Sequence, residues 1–137
     1  MTAGGITDRK IFNAAFALGA EGIFCGTLFL WSTKARTAPN VKEMILKTNA
    51  TDMDFFRTLP YYYRSIPTPL SQKLVQKELK TREQICNEMK PMRNMIFGML
   101  NGQIDVGFIT VGFRVSMIHS IRPCKEIIDD ITQDFKS

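Results

Sequence analysis

The sequence predicts an α/β chain, mostly helical, in which short strands end in glycine-containing loops. Three observations carry this reading. The stretch Ala3-Gly4-Gly5-Ile6-Thr7-Asp8 sets two glycines directly before a helical apolar pattern. The run Gly22-Ile23-Phe24-Cys25-Gly26-Thr27-Leu28-Phe29-Leu30 is almost continuously apolar and β-prone, as a parallel strand covered on both faces would be. Beyond it, helix-start signals and apolar residues at helical spacing dominate.

In chain order, Thr7 is the expected N-cap of the first helix, and Asp8 follows where a negative charge favours a helix start. Ile11, Ala14, Ala15 and Leu18 share one face, and Gly19 closes the helix. Residues 22–30 are expected to form one strand. Asn40 with Glu43 resembles a capping box ahead of Val41, Met44 and Ile45. Residues 50–70 read as irregular, with Phe55, Phe56, Tyr61, Tyr62 and Tyr63 among Pro60, Pro67 and Pro69. Leu70, Leu74, Val75 and Leu79 mark a further helix. Thr81 with Gln84 forms a second capping box, and Ile85 and Met89 carry that helix to Pro91. Met92, Met95, Ile96 and Met99 form a stripe that stops at Gly102 and reads as helix core. Gly107–Gly112 is a loop or short strand, and Pro123 opens a closing helix whose apolar face is Ile127, Ile128, Ile131 and Phe135.

The glycines suggest chemistry as well as turns. Gly lets another group approach the backbone closely, and loop N–H groups suit a phosphate, which needs several donors. In (β/α)8 barrels, a phosphate site of this kind is built from the loops after strands 7 and 8. Gly4-Gly5 and Gly26-Thr27 have the corresponding arrangement. The bland alternative is that these glycines are merely tight turns.

The run Ala3, Gly4, Gly5, Ile6, Asp8, Ala17, Leu18, Gly19, Ala20, Gly22, Gly26, Thr27 and Phe29 resembles the C-terminal part of the nitronate monooxygenase family. That family, once called 2-nitropropane dioxygenases, includes the flavin-dependent enoyl-ACP reductase II enzymes. The likeness continues through Pro39-Asn40-Val41-Lys42, Asn101–Asp105, Val111–Ile118 and Glu126–Ile131. It implies a C-terminal fragment of an FMN-binding (β/α)8 TIM barrel. Residues 1–34 would be the last barrel units with their phosphate loops, 35–105 a helical insertion or lid, and 106–137 a closing segment. A complete barrel needs about 250 residues, so 137 residues read as part of one.

By this resemblance Gly4, Gly5, Phe24, Cys25, Gly26 and Thr27 are the FMN-phosphate contacts, and residues 50–70 lie near the substrate entrance. Two departures matter. Relatives often carry Gln where Phe24 stands, and an Ala-Gly-Gln-x-Ala-Gly pattern where this chain has Val111, Gly112, Phe113 and Ser116. Each Phe removes the hydrogen bonding of a Gln. The catalytic histidine of relatives lies in the N-terminal part. His119 does not match it and is assigned no role. The implied activity is oxidation of an alkyl nitronate with O₂ or reduction of an enoyl thioester, with a small-molecule substrate in the complete enzyme. The alternative class is a non-catalytic remnant, or a split-protein half that pairs with an N-terminal partner or another copy. A third reading is a relative of IMP dehydrogenase, which shares the Gly-Gly and Gly-Thr loops.

Composition narrows the classes. Hydrophobic residues make up 45% of the chain and charged ones 23%, with no apolar run long enough to span a membrane. The net charge of +5 is spread along helices among acidic residues, as in Lys73, Lys77, Glu78, Lys80, Arg82 and Glu83. That is a solvated face, and it argues against nucleic acid as a partner. Cys25, Cys86 and Cys124 have neither disulfide nor metal-ligand spacing, which fits a reducing cytoplasm. Cys25 reads as a small apolar residue of its strand.

Overall fold

The computed structural model describes residues 1–58, 61–77 and 81–135. In chain order its strands are β1 (Thr2–Ala3), β2 (Ile23–Phe24), β3 (Asp54–Thr58) and β4 (Tyr61–Ser65). Its helices are α1 (Arg9–Ala17), α2 (Thr27–Leu30), α3 (Pro39–Leu46), α4 (Pro69–Val75), α5 (Arg82–Met89), α6 (Pro91–Met95) and α7 (Cys124–Ile131). The chain divides into two compact units, Met1–Arg36 with Gly112–Ser137, and Thr37–Val111. The described residues form a partial α/β arrangement with no closed barrel.

The first unit is built on a parallel pair, with Thr2 opposite Ile23 and Ala3 opposite Phe24. Helix α1 connects these strands. Its N-cap is Asp8 rather than Thr7: the carboxylate accepts the Ile11 N–H at 3.0 Å. Thr7 is buried, and its hydroxyl is occupied by the side chain of Arg114. Gly19, at φ +93°, takes the left-handed turn after the helix. The inward residue of α1 is Phe12, which packs with Phe16 and Phe135 at centroid distances of 5.0 and 5.5 Å. The face shared by Ile11, Ala14, Ala15 and Leu18 lines an open groove of about 430 Å³ with Met1, Thr2, Gly4 and Ile6. Leu18 itself is 89% exposed. Helix α7 packs on α1 and buries Ile127 and Ile131, whereas Ile128 faces out.

Residues 22–30 do not form a single strand. The strand ends at Phe24, Gly26 turns into helical dihedrals, and α2 begins at Thr27. A short apolar run looks alike as buried strand or buried helix; here Leu28 is buried within the helix while Phe24 is exposed on the strand.

The second unit has its core in Phe56, Leu74, Ile85, Met89 and Phe108, with Tyr63, Leu70 and Met95 packed on it. Residues 50–70, read as irregular, contain an antiparallel hairpin in which Phe55 opposes Arg64 and Phe56 opposes Tyr63. The prolines masked an alternation that sends Phe56 inward and Tyr62 outward. In α3 the cap is Ala38 with Pro39 at N1, so the Asn40–Glu43 box does not form. The Asn40 amide instead donates to the Gly102 carbonyl at 2.9 Å. The Thr81–Gln84 box forms as expected, and a further one, Thr68 with Ser71, starts α4. Pro60, Glu78, Leu79 and Lys80 lie outside the described residues. Of the methionine stripe, Met99 is buried and Met95 packs on the core, but Met92 is 68% exposed. The helix then widens to π geometry over Ile96–Leu100.

Segment 107–110 is pinned to the hairpin by buried polar groups. The Ile66 N–H donates to the Ile109 carbonyl at 2.9 Å, and the Ile109 N–H donates to Ser65 Oγ at 2.9 Å. The Thr68 hydroxyl donates to the Gly107 carbonyl at 2.9 Å. Such bonds keep buried backbone groups satisfied. They also bring Gly98 against the Phe108 backbone, where an added Cβ would stand 2.4 Å from the Phe108 carbonyl oxygen. Alanine is the better helix former by about 1 kcal/mol, yet overpacking against backbone costs about 1–3 kcal/mol. Gly98→Ala is therefore expected to lower the unfolding free energy in a urea titration. An unchanged or raised midpoint would contradict this close approach.

Candidate functional site

The parallel pair places two loops side by side at the carboxyl ends of its strands. Gly4-Gly5 follows Ala3, and Cys25-Gly26-Thr27 follows Phe24. In open parallel sheets ligands bind at this end. Gly4 (φ +93°) and Gly5 (φ +69°) are both left-handed, a conformation that costs other residues about 1–2 kcal/mol each. They turn the chain from β1 into α1 with the backbone exposed. A Cβ added at Gly4 or Gly26 would meet no described atom within 4 Å. Both loops therefore present backbone that a ligand can approach.

Thr27 links this rim to a further glycine, Gly112. Its hydroxyl oxygen accepts the Gly112 N–H at 3.0 Å, which leaves its own O–H to donate elsewhere. All six residues singled out in the sequence lie at this end of the pair: Gly4 and Gly5 on one loop, Phe24 at the end of β2, Cys25 and Gly26 on the loop after it, and Thr27 at the start of α2. The Phe24 ring is 63% exposed beside them, and Phe113, directly after Gly112, is 46% exposed. Cys25 is half-buried, and burial pushes its thiol above the ordinary value of 9.0. The thiol stays protonated at neutral pH, so it is no activated nucleophile. His119 is exposed.

The sequence reading missed Arg114. Its Nε donates to Thr7 Oγ1 and its Nη2 to Asp8 Oδ2, each at 3.2 Å. Its stem lies across the glycine loop, with Cδ 3.4 Å from where a Cβ on Gly5 would stand. The signal was faint because Arg114 and Asp8 are far apart in sequence. Partial burial works to raise the Asp8 pKa. The Ile11 N–H, the hydrogen bond and charge of Arg114, and the Lys10 N–H together outweigh it and hold the carboxyl below its ordinary 3.8.

Two outcomes follow from these environments. A depressed carboxyl adds stability that is complete above its unfolded pKa and is lost as pH falls through the folded one. Asp8→Asn, which preserves the cap, is expected to flatten the loss of stability below about pH 4. Urea midpoints measured from pH 6 to pH 2 test this, and an unaltered acid limb would contradict it. Among the thiols, Cys86 is exposed while Cys25 is half-buried with a raised pKa. Iodoacetamide at neutral pH is expected to label Cys86 first, and faster labelling of Cys25 would refute the assigned environment.

A profile of the nitronate monooxygenase family matches residues 1–134. FabK from Thermotoga maritima is similar in structure, with a TM-score of 0.83 and 34% identity over 98% of this chain. The enoyl reductase domain of MlnA from the macrolactin biosynthesis cluster of Bacillus amyloliquefaciens shares the fold, with a TM-score of 0.60, 15% identity and 97% of this chain covered. Rv1533 of Mycobacterium tuberculosis, which is named as a monooxygenase, is 41% identical over 59 residues, 43% of this chain. The aligned parts are 43% of the FabK chain, 47% of the MlnA domain and 16% of Rv1533. With the match running from the glycine loops through α7, the chain belongs to the nitronate monooxygenase family.

Proposed function

We propose that this chain supplies the phosphate-binding end of an FMN-dependent oxidoreductase. The observation that supports this best is the parallel register, which sets Gly4-Gly5 beside Cys25-Gly26-Thr27 at the ends of β1 and β2. The residues fit a phosphate monoester. At Gly4 and Gly26 the loops offer backbone with no side chain in front of it, and Thr27 retains a hydroxyl proton. Bound there, FMN would carry the electrons of the reaction. The chain's own residues would anchor the phosphate and leave Phe24 and Phe113 as apolar surface beside it. The substrate in this reading is an alkyl nitronate oxidised with O₂ or an enoyl thioester that is reduced, and the setting is cytoplasmic.

A second reading has its own observation. Among the described residues β1 and β2 pair only with one another, and an open groove lies beside β1. Unpaired strand edges invite another strand. A partner chain that supplies neighbouring βα units, or a second copy of this chain, would complete the sheet.

The cofactor reading is tested by titrating the purified chain with FMN and following flavin fluorescence. Saturable binding is expected, and Gly5→Ala should weaken it about tenfold by straining a left-handed residue. No saturable binding, or equal binding by the variant, would overturn the assignment to these loops.

A further inference from the structure

Asp8 raises an electrostatic problem for any phosphate site on these loops. Its carboxylate is needed as the cap of α1, where Oδ1 accepts the Ile11 N–H. It also follows Gly5 by only three positions, so a full negative charge stands in the segment that would receive an anion. Like charges so placed oppose one another. The structure supplies one cation to this loop. Arg114 spans it, with its stem against Gly5, Nε on Thr7 Oγ1 and Nη2 on Asp8 Oδ2. The ion pair uses the carboxylate oxygen that the helix cap leaves over. Nη1 of Arg114 has no acceptor among the described residues, so the same guanidinium keeps donors available on its remaining edge.

We propose that Arg114 is a positioning residue for phosphate: it neutralises Asp8 and fixes the Gly4–Asp8 turn, so that the loop accepts a dianionic group while α1 keeps its cap. This rests on the phosphate reading given above and extends it to a residue outside the glycine loops. Lysine would not replace it, since one ammonium on a flexible stem lacks the fixed fork that meets Thr7 and Asp8 together. The role is one of selectivity. It concerns the phosphorylated end of a ligand and leaves the rest of that ligand untouched.

The test compares FMN with riboflavin, which differ only in the phosphate, on the full 137-residue chain and its variants. Arg114→Met is expected to weaken FMN about tenfold or more and to change riboflavin by less than about twofold, because only FMN meets the uncovered Asp8 charge. Adding Asp8→Asn to that variant removes the charge and retains an N-cap, so it should restore most of the FMN preference. A brace that served only folding would weaken both flavins alike and would not be rescued by Asn. Equal losses for the two flavins, no loss, or no rescue would each overturn the proposal. Thermal unfolding of each variant, with and without inorganic phosphate, separates poor folding from poor binding. A folded Arg114→Met chain should lose the stabilisation by phosphate that the wild type shows. A wild-type chain that responds to neither FMN nor phosphate would overturn the cradle itself and the role of Arg114 with it.

Discussion

Two residue pairs in parallel register, Thr2 with Ile23 and Ala3 with Phe24, determine where every candidate group of the first unit lies. Parallel strands run in one direction, so their loops emerge at the same end, and a register shift would separate Gly4-Gly5 from Gly26-Thr27. The connection between them is α1, whose start is fixed by Asp8 and whose exit is fixed by the left-handed Gly19. The turn after α7 then holds α1 through Phe135, and the Gly112 N–H closes onto Thr27. A very short sheet thus depends on its caps, aromatic packing and glycine turns far more than on its own ladder.

The second unit follows another logic. Its hairpin, α4 and α5 enclose an aromatic and aliphatic core, and a chain of buried hydroxyls ties segment 107–110 to that core. Ser71 shows how tightly this is specified. Its hydroxyl donates to the Asp54 carboxylate at 2.6 Å and accepts the Thr68 N–H at 2.7 Å. Removing the Ser71 hydroxyl would take this acceptor from the buried Thr68 N–H, which costs about 1–3 kcal/mol. The close packing of Gly98 on Phe108 is part of the same constraint.

Local chemistry was readable from the sequence where it was strong. The Thr81–Gln84 box, the Gly19 turn, the Pro123 start of α7 and the side-by-side glycine loops all follow from short-range rules. The errors arose where tertiary context decides. Residues 22–30 carry an apolar run that suits strand and helix equally, and Gly26 divides it between both. The prolines around the tyrosines concealed a hairpin whose alternation is plain once Phe56 and Tyr63 are seen to face the core. Arg114 could not be found by spacing, because its partners Thr7 and Asp8 reach it only through the fold. Gly4-Gly5 and Phe24-Cys25-Gly26-Thr27 were legible as loop-forming stretches because each is contiguous in the chain, and their adjacency follows from the parallel register.

If the two strand-end loops form one anion cradle, amide-resolved NMR of the chain will detect it at the backbone. On titration with FMN, chemical-shift changes are expected to centre on the N–H groups of Gly4, Gly5, Gly26 and Thr27. Riboflavin should leave these amides nearly unmoved. Perturbations confined to residues 37–111, or the same pattern for both flavins, would contradict it.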